Sequence, residues 1–140
     1  MNIVNQVKVN MLSIISLVLA LTALSYNTYR NELTEENRNI RNAGFELLVE
    51  LNKLQLLIDF AHYDNNPQSG NPIRGWGHVL YIYDLSGLVS VEVESKSLAL
   101  KEKWRITWEV LGKNENSNTE LTEVIKDLRA QVLFKIKTLG

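Results

Sequence analysis

The chain has two histidines, His62 and His78, so any imidazole chemistry must run through one or both. His62 lies in DFAHYD, with Asp59 three residues earlier on the same helical face and Asp64 just beyond. A carboxylate and an imidazole at that spacing can offer two ligands to one metal ion. Di-metal bundles use such a carboxylate-x-x-His pair twice, with two further glutamates, and no second pair occurs here. The plainer reading places His62 in a last helical turn against free carbonyls, with Asp64 opening the turn that follows.

His78 ends GNPIRGWGH, close to Arg74 and Trp76. An anion or an aromatic-stacking ligand fits that composition, and glycines near a helix start expose backbone donors. The stretch has neither the lysine of a phosphate loop nor the glycine fingerprint of dinucleotide binders, and no strand precedes it. Its plainer reading is a segment whose glycines permit tight packing on another helix. The candidate ligand-binding set is therefore Asp59, His62, Asp64, Arg74, Trp76 and His78, gathered at one corner if two antiparallel helices flank the short loop between them.

No catalytic residue, metal or cofactor is expected, and the balance favours a binding module over an enzyme. A serine hydrolase needs a G-x-S-x-G elbow, and none is present. The absence of cysteine removes thiolate metal sites, disulfides and cysteine nucleophiles. Trp104 and Trp108, four apart, read as core. Glu46 and Glu50, also four apart, read as a solvated edge. A formal net charge of -1 and a pI near 6.1, with no Lys/Arg run, argue against nucleic acid as a partner.

These residues must be held by helices, because only Pro67 and Pro72 interrupt the chain. Residues 11–24, MLSIISLVLALTAL, carry no charge and only Ser13, Ser16 and Thr22 as polar members. A helix hides such hydroxyls by bonding them back to its own carbonyls. Val7, Val9 and Tyr26 lengthen the segment toward the roughly 20 residues that cross a bilayer. Lys8 and Asn10 can snorkel at one end, and Tyr26, Tyr29 and Arg30 supply an interfacial belt at the other. A retained transmembrane anchor is the leading expectation.

Two other readings stand beside it. A cleaved signal peptide would use Ala23 and Ser25 as its small-residue site, and a buried helix of a soluble protein would need a larger core than this length offers. Lys8 and the amino terminus stand against Arg30, Arg38 and Arg41, a balance that leaves the side of the membrane open.

With the anchor removed, roughly 110 residues remain, enough for one core. The expected domains are 1–29, tail and anchor, and 30–140, a helical bundle that opens on a polar stalk at 30–42. In the long helix that follows, Ile40, Gly44, Leu47, Leu51, Leu54, Ile58 and Ala61 form one stripe, widened by Phe45, Leu48 and Leu57. Gly44 either admits a neighbouring helix or weakens its own. The run DNNPQSGNP ends this helix, and Asn71 caps the next with Pro72 at its first position.

That second helix runs to about 85 or 89 through Trp76, Val79, Leu80 and Tyr83. The alternating VSVEVES, residues 89–95, reads as an extended connector. A third helix over about 95–111 is expected to bury Leu98, Trp104, Trp108 and Leu111 and to stop at Gly112. The run KNENSN is a loop, and the last helix opens on a Ser117/Glu120 capping box before Leu121, Ile125, Leu128, Val132, Ile136 and Leu139. The fold class is all-α: an N-terminal transmembrane helix continuing into a long helix that packs with about three shorter ones as a small bundle.

Three stretches carry a resemblance: YNTYRNELTEENRNIRNAGFE, LQLLIDFAHYD and GNPIRGWGHV. Together they resemble an uncharacterised group of small bacterial proteins with an N-terminal membrane segment, over residues 12–85. The resemblance implies a bacterial envelope setting, here a single pass through the inner membrane, and brings no activity, cofactor or catalytic residue. The expected partners are the bilayer and a protein partner or second copy engaged through the long helix.

Overall fold

The computed structural model describes residues 3–64 and 66–139, the side chains of Val4 and Val7 excepted. The elements are α1 (Ile3–Val9), α2 (Met11–His62), α3 (Pro72–Ser86), α4 (Val91–Thr107), a 3-10 turn (Trp108–Val110) and α5 (Glu115–Thr138). No strand occurs among the described residues. Internal contacts divide the chain after Glu36, and α2 runs through the division.

In the N-terminal part the Asn10 N–H donates to the Gln6 carbonyl and the Ile14 N–H to the Asn10 carbonyl, so helical bonding continues from α1 into α2. The Ser16 hydroxyl donates to the Leu12 carbonyl at 2.9 Å and that of Thr22 to Val18 at 2.8 Å, so each is satisfied within the helix. This stretch is long and apolar enough to cross a membrane, and none of its most apolar window is covered by protein. The buried-core-helix alternative is thereby corrected: residues 8–36 are all exposed.

From Asn37 onward α2 forms a small bundle with α3, α4 and α5. Gly44, Leu47, Leu51, Leu54, Leu57 and Ile58 are buried, the stripe the sequence lays out. Phe45 departs from it: it stays 55% exposed because it points away from that arc. Gly44 serves close approach, since a Cβ there would meet the Ile136 side chain of α5. Arg41, assigned by sequence to the stalk, donates through Nη2 to the Leu139 carbonyl at 2.9 Å.

Asn71 caps α3 as expected, its side chain accepting from the Ile73 N–H at 2.9 Å with Pro72 next. α3 then buries Gly75, Val79, Ile82 and Ser86, while Leu80 faces out. Gly75 is where α4 comes closest: a Cβ would overlap the fully buried Trp104 indole. Farther along, the Ser86 and Ser97 hydroxyls meet at 2.6 Å, each also against a carbonyl of its own helix.

α4 corrects the expected connector. The residues read as extended begin a helix at Val91, because Ser90 caps it by accepting from the Val93 N–H and Glu92 and Glu94 meet the positive end of the dipole. The Glu92 carboxylate, bonded by its own N–H and the Ser90 hydroxyl, is held below the usual range. The buried row is Val93, Ser97, Leu100, Trp104 and Thr107, so Leu98, expected inside, is 45% exposed. Trp108 is half-buried in the 3-10 turn, and Gly112 takes a left-handed φ of 77° that suits glycine.

α5 likewise starts earlier than its capping-box motif indicates. Asn114, not Ser117, is the cap and accepts from the Ser117 N–H at 3.2 Å. Leu121, Ile125, Leu128 and Val132 are buried, Ile136 is partly so, and Lys135 and Lys137 occupy the last turn.

Candidate functional site

The hairpin of α2 and α3 carries the densest polar constellation of the body. Glu50 lies within the buried arc of α2, on the row of Leu47, Leu54 and Leu57, and its side chain is only 7% exposed. Its Oε1 accepts from His78 Nδ1 at 2.5 Å and its Oε2 from Lys53 Nζ at 2.9 Å. The expectation of a solvated Glu46/Glu50 edge is thus corrected for Glu50, while Glu46 is exposed.

A buried carboxylate is stable only when its acceptors are met. For Glu50, burial acts most strongly and pushes the carboxyl up, but the His78 and Lys53 hydrogen bonds and charges together outweigh it and hold it below its ordinary value. Lys53 is pushed up, first by the bond to Glu50, then by the charges of Glu50 and Glu46, so it remains an ammonium at physiological pH.

Above Glu50 a groove of about 290 Å³ opens between the two helices, lined by Lys53, Leu56, Leu57, Phe60, Arg74 and His78, with Ser69 at its end. Gly75 and Asn71 position its α3 wall: the cap fixes where the helix starts, and the glycine lets that helix settle on Trp104. Arg74 and His78, four residues apart, therefore share the flank facing α2.

Asp59 and His62 lie elsewhere. They line a cleft of about 280 Å³ with Asn118, Thr122 and other residues of α5. Asp59 accepts from Gln55 Nε2 at 2.9 Å, and His62 packs its ring edge-on to Tyr63 at 4.5 Å. His62 Nδ1 is buried and meets no partner among the described residues. Asp64 is exposed in the turn, and Trp76 is half-buried against the core.

The single corner expected from the sequence is therefore two places, His62 with Asp59 toward α5 and His78 with Arg74 toward α2. Among the described residues no three His, Asp or Glu side chains gather as metal ligands do. Sequence reasoning missed Glu50 and Lys53. The signal for Glu50 was its place three residues after Leu47 and four before Leu54, inside the apolar arc instead of beside it.

Chemically the groove is a donor surface. Lys53 has two further N–H bonds beyond the one to Glu50, and the exposed Arg74 guanidinium pairs with no carboxylate among the described residues. No protein-family model, curated protein or solved structure matches this chain.

Proposed function

We propose that this protein is a single-pass component of the bacterial inner membrane and a non-enzymatic docking module, its N-terminal helix the retained anchor and its helical body the part that binds another protein chain. The resemblance of the YNTYRNE, AHYD and GNPIRGW stretches supports the envelope setting, and an uncharged stretch long and apolar enough to cross a bilayer, with the Ser16 and Thr22 hydroxyls bonded internally, supports the anchor. The sequence placed the partner surface on the stripe from Ile40 to Ala61, but that stripe packs inside the body.

The observation that carries the reading is the opposite arc of the same helix. Phe45, Val49 and Leu56 of α2, and Tyr63 just past its end, are all exposed, by 47 to 79%, and their spacing of 4, 7 and 7 aligns them along one line. Exposed apolar side chains are common singly, whereas four recurring along one line beside a groove mark a contact surface. The test is a photo-crosslinking residue at Leu56 in the full chain, in the membranes of the producing cell, with Asp127 on α5 as control. Protein adducts confined to the Leu56 probe support docking, and equal or absent adducts at both sites overturn it.

A further inference from the structure

The groove between α2 and α3 borders this row, and its chemistry narrows the partner. Its hydrogen-bonding capacity is lopsided. The Glu50 carboxylate, which does not line the groove, spends Oε1 on His78 and Oε2 on Lys53 and is turned inward. What remains toward solvent on the two cations is donors: the free N–H bonds of the half-exposed Lys53 ammonium and the Arg74 guanidinium.

Glu50 also fixes where those donors stand. Lys53 and His78 are drawn together from two helices by one buried anion, so part of the ordering that binding would demand is already present. Glu46 acts on Lys53 from two turns earlier, so the cation without a carboxylate partner among the described residues is Arg74. Between the cations the groove is apolar, with Leu56 54% exposed, and Phe60 and Leu57 behind it.

Donors that lack acceptors, set around apolar walls in a trough between two helices, match one class of occupant. We infer that this groove takes an acidic amphipathic helix of a partner protein, its carboxylates on Lys53 and Arg74 and its apolar face on Leu56 and Phe60. Arg74 binds such a carboxylate through two parallel N–H bonds, and the apolar side chains exclude the water that would screen it.

The inference rests on the docking reading and specifies it. It is tested by sequencing the peptide joined to the Leu56 probe in the full-length membrane protein, with and without Arg74→Glu. The expected peptide carries Asp or Glu beside apolar residues, and Arg74→Glu lowers the adduct yield roughly 10-fold or more, the loss of one charge-assisted contact. Arg74→Ala lowers it less, and Arg105→Glu on α4 leaves it unchanged. Because Arg74 is exposed, tryptophan fluorescence should show both groove variants melting as the parent does.

An adduct to a basic or neutral segment, to lipid, or one indifferent to Arg74→Glu overturns the acidic-helix assignment. The first and last of these outcomes leave protein docking in place. Absence of any adduct at Leu56 removes both readings.

Discussion

Replacing Glu50 by glutamine probes whether a buried anion organises the α2–α3 hairpin. The side chain is 7% exposed and holds His78 at 2.5 Å and Lys53 at 2.9 Å. A hydrogen bond to a charged group contributes about 1.5–3 kcal/mol, whereas an ion pair to a half-exposed lysine contributes about 0–1. Glutamine keeps one acceptor for His78 and escapes the cost of burying a charge, so the net loss at pH 7 should be about 1–2 kcal/mol. For a body of about 100 residues that lowers Tm by roughly 4–16 °C.

The pH dependence has a definite sign. Folding holds the Glu50 carboxyl below its ordinary 4.5, so its contribution is complete above that value and is lost as pH falls through the depressed one. The gap between parent and Glu50→Gln should therefore be widest at neutral pH and close in acid. Tryptophan fluorescence of the detergent-solubilised chain is the assay, since Trp76, Trp104 and Trp108 all report on the body. A variant melting within 2 °C of the parent at pH 7 (roughly 0.5 kcal/mol or less), or a deficit that persists undiminished at low pH, would refute the reasoning. A double-mutant cycle with His78→Gln should show coupling of about 1 kcal/mol.

Two glycines of α3 make opposite predictions by the same melts. Gly75→Ala should destabilise by about 1–3 kcal/mol because its Cβ would overlap the Trp104 ring, whereas Gly77→Ala, with open space around it, should stabilise by up to about 1 kcal/mol. At the start of α5, Asn114→Ala should cost about 1 kcal/mol and Ser117→Ala almost nothing; the reverse order would restore the capping box. Leu56→Asp should leave Tm close to the parent value while abolishing protein adducts at a probe placed at Val49, and a large loss of stability would show Leu56 to be core instead of surface.

Much of the fold was legible because it follows single-helix rules. The α2 stripe repeats at steps of four and three, and Asn71-Pro72 is a local start signal that needs no tertiary information. What escaped was set by contacts between helices. Ser97, against Ser86 of α3, and Thr107 occupy inward positions of α4, so the apolar period was broken and Leu98 stood in for them. Val89, Val91 and Val93 mimic strand alternation, yet Ser90 caps a helix there and Val91 is left outside.

The site was legible in its residue types and not in its grouping. His78 was singled out, but its partner Glu50 lies 28 residues earlier and reads as one of an ordinary exposed pair. His62 and His78 stand near the same loop in sequence, yet His62, on α2, faces α5 and His78, on α3, faces α2.

The claim on which the account stands is that the uncharged N-terminal helix stays with the protein and in the bilayer. Intact-mass measurement of the chain recovered from carbonate-washed membranes addresses it directly. The account predicts the full 16.0 kDa species in the membrane pellet. A shortened chain beginning near Tyr26 and released into the soluble fraction would contradict it.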